Sequence, residues 1–157
     1  MLLLQTPSTE TEKLSIALAG NPNAGKTSIF NALTGAHQHV GNYPGVTVER
    51  RAGTFSLAGE RVRVVDLPGT YSLGAYSPEE RIAEAELLSG DHQVVVLVVD
   101  SGALGRALVL LVQLLQTGAR LVLCLNMCDE ARAAGQKLDL ALLGERLGVP
   151  VVETVGH

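Results

Sequence analysis

The chain predicts a three-layer α/β sandwich on a mainly parallel sheet with one antiparallel strand, and three observations carry that prediction. Apolar runs of strand length alternate with helix-like stretches along the chain, the pattern of repeated βαβ units. The run Val94-Val95-Val96-Leu97-Val98-Val99 is apolar on both faces, as a strand must be when helices cover a sheet from either side. Two extended stretches, residues 52–58 and 61–66, meet at Gly59-Glu60, which suits a tight hairpin and sets one strand against its neighbours.

In chain order, Leu14-Ser15-Ile16-Ala17-Leu18-Ala19 opens the domain as a strand, and residues 28–33 read as the helix that follows. Residues 34–51 are rich in Gly, His, Asn and Pro without periodicity, and predict a long loop of the functional kind. After the hairpin comes a second loop, residues 67–77. Ser77 then supplies an N-cap, Pro78 the first helical position and Glu80 the capping-box partner of a helix running to about Leu88. The valine strand is followed by a strongly apolar helix over 103–116, ended by Gly118 and read as core rather than membrane contact. A strand over 120–126, a helix over 138–147 and a strand over 149–153 complete the pattern.

A length of 157 residues suits one domain, and with 46% hydrophobic but 3% aromatic residues its core must be aliphatic. The net charge of −4 argues against a broad nucleic-acid contact, so none is expected. Residues 1–13 open with Leu2-Leu3-Leu4 and turn polar; this is too short for a signal segment, and a flexible leader is expected before a domain over 14–157. The longest uncharged stretch, 107–119, falls short of the ~18–20 residues that span a bilayer, so the fragment is expected to be soluble. Cys124 and Cys128 lack a partner pair, which fits reduced thiols in a cytoplasmic setting, with Cys128 a small buried filler. His37 and His39 read as solvated rather than as iron or zinc ligands.

Between the first strand and helix, Gly20-Asn21-Pro22-Asn23-Ala24-Gly25-Lys26-Thr27 completes G-x-x-x-x-G-K-S/T, with Ser28 beside it. The glycines let successive N–H groups turn toward phosphate oxygens, and the helix adds its positive end. Lys26 suits the β and γ phosphates and the Thr27 hydroxyl suits Mg²⁺. This implies a nucleoside triphosphate. Asp66-Leu67-Pro68-Gly69 follows the second hairpin strand; its carboxylate suits the Mg²⁺ shell and the Gly69 N–H the γ-phosphate. In Asn126-Met127-Cys128-Asp129, Asp129 is placed to accept from the N1–H and N2–H₂ edge of guanine, a donor pair adenine lacks. Asn126 is suited to tie that loop to the phosphate loop. In Gly45-Val46-Thr47, the Thr47 hydroxyl suits an Mg²⁺ contact made only in the triphosphate state.

These motifs, in this order, resemble a translation-factor-class, Ras-like P-loop GTPase. Val40-Gly41-Asn42-Tyr43-Pro44-Gly45-Val46-Thr47-Val48-Glu49 looks like the first switch of FeoB-type ferrous iron transporters, and Asp66-Leu67-Pro68-Gly69-Thr70-Tyr71-Ser72-Leu73 like their second. Met127 stands where that family often has Met and most GTPases have Lys. The resemblance covers residues 14–157 and implies the cytosolic, GTP-hydrolysing G domain of a longer bacterial inner-membrane protein that regulates or drives ferrous iron transport. It implies helical regulatory and transmembrane domains as partners in the same protein and a chain cut before its last helix; whether the protein also forms a homo-oligomer is left open. It also implies an activating K⁺ held by Asn23 and by the carbonyls of Gly41 and Tyr43.

Three departures stand out. Thr70 occupies the place of a water-positioning Gln, so slow intrinsic turnover is expected. Tyr43 replaces a Trp common in the first switch. Thr154-Val155-Gly156 stands where a Ser-Ala loop would reach guanine O6, leaving the Gly156 N–H to serve. Two other readings share the motifs: a soluble ribosome- or RNA-associated GTPase, and a nucleotide-dependent switch module with negligible turnover.

Overall fold

The computed structural model describes residues 14–74 and 76–156, so the expected leader at 1–13 lies outside the described residues. Seven strands form, β1 (Leu14–Gly20), β2 (Gln38–Asn42), β3 (Glu49–Leu57), β4 (Glu60–Asp66), β5 (Val94–Asp100), β6 (Leu121–Asn126) and β7 (Val151–Glu153), together with helices α1 (Lys26–Thr34), α2 (Pro78–Leu88), α3 (Leu104–Gln116), α4 (Cys128–Ala133) and α5 (Leu140–Leu147). The strands make one sheet in the order β2-β3-β4-β1-β5-β6-β7. β3 runs against both of its neighbours, and every other pairing is parallel. The single reversed strand of the expected fold is therefore β3.

Alternation along β1 sends its side chains to two different cores. Ile16 and Leu18 join Phe30 of α1 with Val62 and Val64. Ala17 and Ala19 face the larger cluster, where Leu110, Leu111 and Leu114 of α3 meet Leu97, Leu123 and Leu125. The buried residues of these two clusters are aliphatic apart from Phe30, in keeping with a composition poor in aromatics. Leu108, Val109 and Val112 on the outer side of α3 are exposed, so that helix is apolar beyond what its packing uses. Among the described residues no helix is long and apolar enough to cross a membrane.

The α2 cap forms as its sequence predicts: Ser77 Oγ accepts from the Glu80 N–H at 3.1 Å, and the Glu80 carboxylate accepts from the Ser77 N–H at 3.2 Å. Elsewhere the structure corrects the boundaries. Residues 34–51 are not a loop throughout, because Gln38–Asn42 forms β2 and β3 begins at Glu49. Gln-His-Val-Gly-Asn shows no apolar alternation because β2 is an edge strand with little to bury. The hairpin turn is Ala58-Gly59, with both residues at positive φ, and Glu60 already pairs with Leu57. The helix expected from 138 starts at Leu140, where the Asp139 carboxylate accepts from the Leu142 N–H at 2.9 Å. The apolar helix expected from 103 starts at Leu104, after a short 3-10 turn over Ser101–Ala103, and β7 starts at Val151. The short α4 was not expected, since Cys-Asp-Glu-Ala-Arg-Ala carries no apolar stripe.

Candidate functional site

The C-terminal ends of β1, β4, β5 and β6 converge, which is where open parallel sheets hold ligands. The chain leaves β1 at Gly20, turns through Asn23 in the left-handed region (φ 66°) and Gly25 (φ 87°), and enters α1 at Lys26. Asn tolerates that conformation better than most residues. Gly25 is obligatory on two counts: its φ, and a Cβ there would stand 2.1 Å from Asn126 Nδ2. The phosphate loop is thus pressed directly against the loop that follows β6.

At the opposite flank of the phosphate loop, Lys26 and Asp66 are both largely buried, with Nζ and Oδ1 3.4 Å apart. The Thr27 hydroxyl donates to Asp66 Oδ2 at 3.1 Å. Asp66 Oδ1 is buried without a hydrogen bond, so this carboxylate keeps an unused acceptor beside a hydroxyl and an ammonium. That all-oxygen pair fits a hard divalent cation such as Mg²⁺. Gly69 lies against the phosphate loop, where an added Cβ would be 3.0 Å from the Pro22 backbone. Thr70 is buried; its N–H bonds the Gly20 carbonyl at 3.0 Å and its hydroxyl turns to the Ser72 carbonyl. Its side chain is therefore engaged within its own loop.

The base end centres on Asn126, which is fully buried. Its Nδ2 donates to the carbonyls of Ala24 (3.1 Å) and Gly156 (3.0 Å). Its Oδ1 accepts from the Thr154 hydroxyl and the Gly156 N–H, each at 2.8 Å. One amide thereby joins the phosphate loop to the 154–156 loop. The Gly156 N–H expected to meet guanine is engaged by Asn126 instead, because the amide oxygen is buried and must be satisfied. Met127 takes a left-handed conformation (φ 57°), which turns the chain into α4 and leaves Asp129 exposed on its first turn. The 154–156 loop is held again where the Cys128 N–H bonds the Thr154 carbonyl at 3.3 Å. Burial pushes the Cys124 thiol pKa up, against a contact with Thr154 that lowers it. Sequence reasoning missed Ser101, whose buried hydroxyl donates to the Asn126 carbonyl at 2.7 Å. Only its place just after β5 could have pointed to it. It missed Arg106 as well, which lines a cavity of about 110 Å³ with Asn21, Asn23 and Tyr71.

The switch segment is arranged differently. Gly41 lies within β2 opposite Arg50, three strands from β1 or roughly 14 Å at ordinary strand spacing. The Tyr43 N–H bonds the Val48 carbonyl at 3.0 Å, and the Tyr43 carbonyl accepts from Val46 at 3.3 Å. Gly45 and Val46 sit in that turn, and Thr47 is exposed. The structure brings together Lys26, Thr27, Asp66 and Gly69, and separately Asn126, Met127, Asp129 and Thr154. Asn23 lies in the phosphate loop, whereas Gly41 and Tyr43 lie at the end of the β2–β3 hairpin. His37 and His39 are exposed, and among the described residues no three metal-ligating side chains cluster.

Comparison with known proteins gives this geometry its family. Residues 14–157 match the family described as Ferrous iron transport protein B. The chain is 49% identical over 148 residues to the Fe(2+) transporter FeoB of Salmonella typhimurium, covering 92% of this chain and 19% of that protein. It is 49% identical over 145 residues to a Porphyromonas gingivalis Fe(2+) transport protein A/Fe(2+) transporter FeoB fusion protein, covering 92% of this chain and 17% of that one. The chain thus spans under a fifth of the length of these curated relatives. The cytosolic domain of T. maritima FeoB in its GMPPNP form superposes with a TM-score of 0.88 at 48% identity, over 90% of this chain and 56% of that one. The G domain of the same protein gives 0.84 at 47% identity, over 90% and 87%. The convergent loops at the strand ends are those of a G domain, and the chain belongs to the ferrous iron transport protein B family.

Proposed function

We propose that this chain binds GTP with Mg²⁺ and hydrolyses it slowly, as the cytosolic G domain of a protein that regulates or drives ferrous iron transport. The observation that carries the reading is Asn126, which holds the guanine-selecting Asp129 loop against the phosphate loop through a buried hydrogen bond to the Ala24 carbonyl. Lys26 would offset charge on the β and γ phosphates, and Thr27 with Asp66 would hold Mg²⁺, which stabilises charge developing on the transferred phosphoryl group. Gly69 brings backbone to the γ-phosphate without a side chain in the way, and Thr47 would join when the triphosphate is bound. The Thr154 and Val155 segment borders the base, and Ser28 with Asn21, Pro22 and Ala24 completes the phosphate contacts.

The Thr70 hydroxyl is bonded to its own loop, which supports slow intrinsic turnover and keeps open a switch with negligible turnover of its own. K⁺ stimulation through Asn23 and the Gly41 and Tyr43 carbonyls requires residues 41–48 to leave the hairpin and cover the phosphate loop. In the full-length protein the domain would lie at the cytoplasmic face of the bacterial inner membrane. There it would meet helical and transmembrane domains.

The test is base choice. Labelled GDP should bind far better than labelled ADP, and Asp129→Ala should erase the difference, since losing a paired buried contact costs orders of magnitude. Equal affinity of the parent for both bases would end the assignment. Turnover compared in K⁺ and Na⁺ at equal ionic strength, with Asn23→Ala beside the parent, separates a cation-stimulated enzyme from the passive switch.

A further inference from the structure

Within the switch segment, Tyr43 is the side chain that the fold takes in. It is 7% exposed, while residues 44–47 around it are exposed. The guanidinium of Arg50, from β3, stands 5.8 Å above its ring centroid, within cation–π range. Arg50 Nε lies 4.0 Å from Glu86 Oε1 on α2. The other oxygen of Glu86 meets His92 Nε2 at 3.0 Å, and His92 Nδ1 meets the Ser15 hydroxyl at 3.0 Å at the start of β1. A continuous line of contacts therefore runs from the first switch, through the helix that follows the second switch, to the central strand of the sheet.

We propose that Arg50 and Glu86 are positioning residues that set the preference between guanosine diphosphate and triphosphate, by holding Tyr43 and with it the switch segment in the hairpin. This rests on the reading of Thr47 given above. While Tyr43 is clamped, residues 43–48 are tied by their own hydrogen bonds and Thr47 points to solvent. Delivering Thr47 to the γ-phosphate then requires the clamp to open, so its strength subtracts from triphosphate affinity and leaves diphosphate affinity alone. Glu86 joins the two ends of this line, contacting Arg50 and His92 at once. It sits on the element that the second switch leads into, so movement of that helix reaches the first switch through one ion pair.

The experiment measures two things on Glu86→Gln, Arg50→Ala, Arg50→Lys and Thr47→Ala: affinities for fluorescent GDP and a fluorescent non-hydrolysable GTP analogue, and amide exchange at Tyr43 and Val46 with GDP bound. Glu86→Gln keeps the shape and the contact with His92 and removes only the charge. It should raise the analogue-to-GDP affinity ratio about two- to fivefold and speed exchange at both amides. Arg50→Ala, which also removes the ring contact, should do so by more, and Arg50→Lys should restore part of the parent behaviour. Unchanged exchange in Glu86→Gln overturns the clamp whatever Thr47 does. Faster exchange with an unmoved ratio, while Thr47→Ala still loses the analogue, shows a packing contact and overturns the selectivity role. A raised ratio in Glu86→Gln beside an unaffected Thr47→Ala upholds the clamp and removes the reading of Thr47 alone.

Discussion

The wall of the site that faces the base and the wall that faces the switch segment are held by different kinds of contact. Asn126, itself fully buried, makes four hydrogen bonds, to Ala24, Gly156 and Thr154, the one to Ala24 buried and the others part-buried. Tyr43 is held by a cation over its ring and by an ion pair of 4.0 Å, whose Arg and Glu side chains remain 28% and 21% exposed. Solvent competes more for the second set than for the first, whose anchor side chain is fully buried, so the first is the costlier to break. On the proposed reading, the feature every ligand state shares, a guanine base on a pyrophosphate, would meet the permanent wall, and the γ-phosphate, which comes and goes, would meet the wall that opens at little cost.

The harshest test of the permanent wall is Asn126→Ala. It strands the carbonyls of Ala24 and Gly156 and the Gly156 N–H, and should destabilise the domain by about 3 kcal/mol in urea unfolding. Affinity for GDP and for a GTP analogue should fall together. A variant that stays as stable as the parent would show that water already reaches this amide. Gly25→Ala attacks the same junction from the other side, since its methyl would meet Asn126 Nδ2 at 2.1 Å with φ at 87°. A loss of about 2 kcal/mol is expected, again with both nucleotides weakened alike. If only the triphosphate suffered, the junction would belong to the responsive wall.

How much of this was legible in the sequence follows the same division. The phosphate loop, Asp66-Leu67-Pro68-Gly69 and Asn126 to Asp129 could be read because their chemistry is local: each spacing places its groups once the strand before it is known. The parallel core strands were legible from their apolar runs. The edge strand β2 was not, because an edge buries little and Gln38 to Asn42 carries no alternation. Nor was the engagement of the Gly156 N–H by Asn126, since the two are 30 residues apart and only the parallel register of β6 and β7 joins them. Ser101, Arg50 and Glu86 were illegible for a related reason. Each acts through a partner on another element, and no spacing along the chain encodes that.

Thr47→Ala should separate the two walls cleanly. Affinity for the GTP analogue should drop about tenfold, the scale of one lost bond in a charged metal site, with GDP affinity unmoved. Parallel losses for both nucleotides would make Thr47 part of the hairpin's structure and erase the difference between the two walls.

The smallest effect belongs to Tyr43→Phe, and pH reveals it best. Burial, and then the charge of Glu86, push the Tyr43 pKa up from 10.0 to about 12, with Arg50 pulling in the opposite sense. A raised folded-state pKa means that the fold favours the neutral phenol. The stabilisation is therefore complete below pH 10 and is lost as pH climbs from there through about 12. Within that window the parent should lose stability faster than Tyr43→Phe, which has no proton to release. Below it the two should run parallel, with the variant equal or slightly better, because the hydroxyl is buried without a well-formed hydrogen bond. Thermal melts of both proteins at pH 8, 10 and 11.5 would read the difference. Curves that stay parallel through the whole range would mean that the ring is already open to solvent. The switch wall would then be looser than the contact with Arg50 implies.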